Sequence, residues 1–230
     1  MLRRTATLIT FCATVLLASQ ASALSLADLS QADANGGLKD ALSQGAQIAV
    51  KQLGTPGGFS NDPQVRIELP GKLGKASKLL KQFGLGPQVE ALETGMNSAA
   101  EAAMPQAQAI LVDAVKHMTV ADAKGILAGG KDSATQYLDK SSREQIRAKF
   151  LPIIKQNTDR IGLAQKFNAV AGQAATLGAD PKVSSIEGYV TDKALDGLFK
   201  VIAGQEQALR ENPTGAATSL AKKVFGSLKP

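Results

Sequence analysis

The sequence predicts an all-α, single-domain bundle of about eight helices, and three observations carry that prediction. Apolar residues recur every three or four positions along most of the chain, the spacing of one helix face. Hydroxyl residues followed three positions later by an acid or amide recur as helix-capping boxes. Only one stretch, Val65-Arg-Ile-Glu-Leu69, alternates with period two, and it has no partner run with which to build a sheet.

The first element is a leader. Arg3 and Arg4 precede an apolar stretch, Thr5 to Leu17, and Ala21-Ser22-Ala23 has a small-x-small cleavage pattern. That order describes a signal peptide over residues 1–23, cut after Ala23, and predicts a periplasmic protein. The apolar run is too short to span a bilayer comfortably. Cleavage leaves 230 − 23 = 207 residues, residues 24–230, enough for one helical domain. Loss of Arg3 and Arg4 lowers the formal charge from +6 to +4, an ordinary balance that does not point to nucleic acid. The only cysteine, Cys12, leaves with the leader, so neither a disulfide framework nor a thiol nucleophile is expected. There is no Trp and only two Tyr, so aromatic platforms for stacking bases are scarce.

Leu38, Leu42, Ala46, Ala49 and Leu53 mark a helix over 34–53. Gly54 stops it, and the glycine- and proline-rich run that follows opens an extended loop over 54–70. Val65 to Leu69 reads as an extended arm on the bundle, available to pair across a dimer. Leu73, Ala76, Leu80 and Phe83 restore the helical period until Gly84 and Gly86. Pro87 suits the first turn of the next helix. Pro105 breaks the segment 88–118 into two helices near Met104, because proline lacks the N–H and clashes with the preceding turn. Capping boxes at Thr119–Asp122, Ser133–Gln136 and Ser141–Glu144 predict short helices joined by tight turns. Longer helices follow over 143–162, 164–177 and 186–211, the last started near Ser184, and a terminal one covers 216–228.

One stretch, Gly125-Ile-Leu-Ala-Gly-Gly-Lys-Asp132, is a single residue away from the phosphate-binding pattern G-x-x-x-x-G-K-[ST]. That pattern works where a strand delivers a glycine turn to a helix start, whose amides cradle phosphate. Here a capped helix precedes the glycines and Asp132 replaces the hydroxyl. The stretch therefore reads as a joint, with Gly129 and Gly130 ending one helix in left-handed geometry and Asp132 or Ser133 capping the next. No nucleotide is expected. The single histidine, His117, lies in the last turn of a helix, where a partial positive charge is favourable. Neither a metal site nor a catalytic residue is expected, and no cofactor.

Two polar features remain. Lys72, Lys75, Lys78 and Lys81 recur every three residues with no acid between Leu69 and Val89, opposite Leu73, Ala76, Leu80 and Phe83. They form either a solvated bundle face or a basic face for anionic lipid. Tyr189, Lys193, Asp196 and Lys200 share one face of a helix, with Asp192 one turn before Asp196. That cluster reads as a surface ion-pair network, with acid–base chemistry by Asp192, Lys193 and Asp196 as the rival.

The phrases ADANGGLKDALSQGAQIAVKQL, ILAGGKDSATQYL, FLPIIKQNTDRIGL and YVTDKALDGLFKVIAGQEQALRENP, spread over about residues 30–226, resemble the family called domain of unknown function 4197. The resemblance implies an exported bacterial protein of a family without an assigned activity, and it supplies no catalytic residue. The leading expectation is therefore an exported, non-catalytic binding or structural protein. A periplasmic lipid or apolar-ligand binder at an anionic membrane surface is the alternative, motivated also by Met96, Met104 and Met118 near apolar positions. An acid–base enzyme is the third. The expected partner is a protein or an anionic lipid. The ligand or partner surface is placed at Lys72, Lys75, Lys78, Lys81, Tyr189, Asp192, Lys193 and Asp196.

Overall fold

The computed structural model describes residues 30–175 and 183–227, with residues 76–79 described by backbone alone. Residues 1–29, which include the predicted leader, the end of the predicted 164–177 helix and the last three residues lie outside the described residues. Among the described residues the fold is all-α, with nine helices and no strand.

Helix α1 spans Gln31–Leu53 and starts where the Ser30 hydroxyl accepts the Asp33 N–H. Its predicted apolar residues, Leu38, Leu42, Ala46, Ala49 and Leu53, are all buried. Helix α2 is Gly71–Leu80, followed by a wide turn, Lys81–Leu85. Helix α3 is Gly86–Ala103 and α4 is Pro105–His117, so the chain breaks at the proline as predicted. Helix α5 is Val120–Ala128, opened by a reciprocal capping box. The Thr119 amide and hydroxyl donate to the Asp122 carboxyl and hold it below the usual carboxylate range. Helix α6 is Ser133–Arg160, α7 is Leu163–Ala175 and α8 is Ile186–Glu211. A single tight turn, Pro213–Gly215, leads to α9, Ser219–Gly226.

Local capping signals misplace three boundaries. The predicted short helices around Ser133 and Ser141 are one helix of 28 residues, α6. Inside it the Ser141 hydroxyl donates back to the Tyr137 carbonyl, so it supports the helix it was expected to start. The buried stripe Leu138, Ile146, Phe150, Ile154 needs the unbroken helix, and packing outweighs the local preference. Ser185, not Ser184, caps α8 by accepting the Gly188 N–H. α9 begins after Ala216, because the Pro213 turn intervenes and Thr218 supplies the cap.

Helices α6 and α8 pack against each other at the centre, flanked by α1, α3 and α4. Phe59, Phe150 and Phe225 are the largest wholly buried side chains. Gly37 of α1 lies under α9. A Cβ there would stand 2.7 Å from the Leu220 carbonyl oxygen and 2.6 Å from Val224 Cγ2. Backbone cannot rotate away as a side chain does, so Gly37→Ala is expected to lose about 1–3 kcal/mol in urea unfolding by forcing α9 outward. A neutral result would mean that α9 is loosely seated.

The arm at 65–69 alternates as read: Val65, Ile67 and Leu69 are buried, while Arg66 and Glu68 are exposed. Its inward hydrogen bonds go to a side chain. Asn97 of α3 accepts the Ile67 N–H at 2.9 Å and donates to the Ile67 carbonyl at 2.9 Å. Four residues away on either side, Glu93 pairs with Arg66 at 2.7 Å and Glu101 accepts the Phe59 N–H at 3.1 Å. One polar line along α3 thus holds the whole loop.

Candidate functional site

Helix α8 presents the predicted polar cluster on one face, turned toward α6 and the arm. Its Tyr189 hydroxyl donates to the Glu68 carbonyl at 2.9 Å. Arg147 of α6 donates to Asp192 at 3.0 Å. Asp196 accepts from Arg143 of α6 at 2.5 Å and from Lys193 at 3.1 Å, and Arg143 also reaches Asp139 at 3.1 Å. Lys200 donates to the Gln64 carbonyl at 2.9 Å. The two aspartates, unfavourable neighbours in the sequence, are therefore each neutralised by an arginine from another helix.

The electrostatics follow from these contacts. Burial pushes the Tyr189 hydroxyl above its ordinary pKa, and the Glu68 and Asp196 charges add to the effect, so it remains a donor. Burial works against the Arg143 charge, but the Asp196 and Asp139 carboxylates outweigh it and raise that pKa. The Arg143 guanidinium also lies 5.8 Å from the Phe199 ring centroid. Two shallow depressions flank Tyr189. One, of about 280 Å³, lies between the arm and α8 and includes Lys193, Asp196 and Lys200. The other, of about 340 Å³, includes Arg147, Ser185 and Asp192. What the cluster does chemically is lace α6, α8 and the arm together.

The lysine row is elsewhere, on α2 and the wide turn, which pack against α3 and, for α2, also α7. Lys72, Lys75 and Lys81 are exposed, and Lys78 belongs to the residues described by backbone alone. Lys81 stands 3.5 Å from Glu90. Phe83, predicted for the apolar face, is instead 63% exposed. Helical phase is lost at Phe83 (ψ 16°) and Gly84 (φ 82°), so the period that placed Leu80 inward does not carry through the turn.

The GILAGGKD joint is helical over its first four residues, and α6 starts at Ser133. Gly129 is extended (φ −83°, ψ −176°) and Gly130 has no positive φ, which corrects the left-handed ending. Asp132 makes no capping bond either. The cap comes from Glu206 of α8. Its carboxylate accepts the Ala134 and Thr135 N–H groups at 3.1 and 2.9 Å and the Thr135 hydroxyl at 2.8 Å. Arg210 donates to Glu206 at 2.8 Å, to the Ser133 hydroxyl at 3.0 Å and to the Ile126 carbonyl at 3.2 Å. The position that a phosphate takes at such a helix start is filled by the protein's own carboxylate. His117 ends α4, with Nδ1 2.9 Å from the Asp113 carbonyl. Among the described residues no group of three His, Cys, Asp or Glu side chains could hold a metal ion.

Sequence reasoning missed three features. Glu206 and Arg210 were detectable as an acid on the apolar line of Ile202 and Leu209 with a base one turn on. Phe83 was read with the wrong sign. A groove between the start of α3 and α7, about 470 Å³ and walled by Leu85, Pro87, Ala91, Ala169 and Val170, left no signal beyond small residues on two helices.

A family model described as a protein of unknown function, DUF4197, matches residues 28–226. The chain belongs to the DUF4197 family. No curated protein and no solved structure matches it. The DUF4197 match begins just before α1 and runs to the end of α9, so the arm, the α6–α8 lattice, the Glu206 cap and the groove all lie within it.

Proposed function

We propose that this DUF4197 chain is an exported, non-catalytic helical protein that binds or organises a partner in the periplasm. One observation carries the reading. The buried acids Glu93, Glu101 and Glu206 are tied to backbone amides or to arginines inside the fold, and Asp192 and Asp196 of α8 are matched by α6 arginines. Acids stabilised as carboxylates by arginines and backbone amides position helices and are poor proton carriers, which supports a non-catalytic reading. The test is purification from a periplasmic extract followed by intact and native mass spectrometry. A chain starting at Leu24, with a protein partner retained, is the expected result. A full-length chain confined to the cytoplasm overturns the export, and a retained lipid shifts the weight to the reading that follows.

A second reading, contact with an anionic membrane surface, is favoured by Phe83. It is the most exposed large apolar side chain among the described residues, and it lies in a segment with lysines and no acid between Glu68 and Glu90. An aromatic tip set among lysines suits the lipid interface. Among the described residues no helix is long and apolar enough to cross a membrane, so such contact is peripheral. The chain has no tryptophan, which makes Phe83→Trp a unique reporter. Its emission is expected to shift to the blue with phosphatidylglycerol vesicles at low salt and to return at high salt. No shift and no co-sedimentation at low salt would sink this reading.

A further inference from the structure

We infer that the groove between α3 and α7 takes one acyl chain of an anionic lipid. Delivery of that lipid rests on the membrane reading above. Three features of the groove point the same way. Its walls are mostly apolar, with Gln88 and Gln173 the neutral polar residues among them, and its volume, about 470 Å³, falls in the range of roughly 300–1,000 Å³ typical of small-ligand sites. Ala91 and Ala169 face it with single methyl groups, which leaves a slot between two helices. The lining contains a cation, Lys166, and no acid. Among the described residues no hydrogen bond or ion pair occupies the Lys166 ammonium. An apolar slot with an unpaired ammonium on its rim is complementary to an amphiphile with a negative head.

The groove also opens at the right place. Leu85, one of its walls, is two residues from the exposed Phe83 and belongs to the same wide turn as Lys81. A turn that touches a leaflet would set the mouth of the slot against the acyl chains beneath. Leu85 is half-buried and continues the apolar path from Phe83 to Val170, which is buried.

The test uses the purified protein and cis-parinaric acid, an anionic chain that fluoresces when shielded from water. Saturable one-to-one binding is expected. Ala169→Phe and Ala91→Phe fill the slot from opposite walls and are expected to weaken it at least about tenfold. Both positions are exposed, so neither change enters the core, and thermal melts report on folding. Gln145→Phe, an exposed site on α6, serves as the control and is expected to bind normally. Lys166→Gln is expected to weaken parinaric acid more than its methyl ester. Absence of saturable binding, or equal binding by the filled and control variants, overturns the groove assignment. Equal loss for acid and ester overturns the anionic head. Sedimentation with vesicles separates the two readings. Vesicle binding without chain binding leaves the membrane contact and removes the groove, and chain binding without vesicle binding does the reverse.

Discussion

Glu206→Ala is expected to lower the unfolding free energy by about 3–5 kcal/mol, the cost of leaving a buried charge without its partner. Glu206 is 3% exposed and the Arg210 side chain 14%. Deleting the carboxylate removes the acceptor for the Ala134 and Thr135 N–H groups at the start of α6. It also strands the Arg210 charge, which keeps only the Ile126 carbonyl, the Ser133 hydroxyl and a distant face of the Phe225 ring at 5.9 Å. Two variants bear on these effects. Glu206→Gln keeps an acceptor on one side only, because the two α6 amides use different carboxylate oxygens, so its loss reports the ion pair together with part of the cap. Glu206→Leu with Arg210→Met removes both charges, and it is expected to recover part of the loss because apolar replacement of a buried pair is often tolerated. Urea unfolding gives the energies, and amide exchange at Ala134 and Thr135 reports the cap directly. A cost for Glu206→Ala below about 1 kcal/mol would show that α6 does not depend on α8 for its start.

This dependence explains how much of the fold was readable in advance. Boundaries set by backbone chemistry were legible: Pro105 separates α3 from α4, and Thr119 with Asp122 opens α5. Boundaries set by tertiary packing were not. Ser133 does open α6 as its spacing predicted, although Glu206 of α8 supplies the cap, whereas Ser141 carries an equally good local signal and lies inside α6. For the site, one face of α8 was legible from the spacing of Tyr189, Lys193 and Asp196. The arginines that neutralise its aspartates were not, since Arg147 and Arg143 lie 45 and 53 residues away. Phe83 failed for a local reason: a helical period was extended through Gly84, whose left-handed backbone ends it.

Asn97→Leu is expected to cost on the order of 2–5 kcal/mol, although the two side chains are nearly the same size. Asn97 is 1% exposed and gives the arm what a neighbouring strand would, an acceptor for the Ile67 N–H and a donor to its carbonyl. Its amide also donates to the Glu93 carbonyl at 2.7 Å. Leucine leaves both Ile67 groups buried and unpaired, at about 1–3 kcal/mol each. Asn97→Asp keeps the acceptor but points a carboxylate at two carbonyls, so it offers no rescue. The damage is expected to begin in the arm. Glu93 and Glu101 still hold it at Arg66 and Phe59, but Arg66 is partly exposed and a surface pair contributes little. Loosening the arm would also withdraw the Gln64 and Glu68 carbonyls from Lys200 and Tyr189, and so open one of the depressions on α8. Faster amide exchange at Ile67, with a lower urea midpoint, is the expected signature. An unchanged midpoint for Asn97→Leu would mean that the buried faces of Val65, Ile67 and Leu69 alone seat the arm, with no role for the amide.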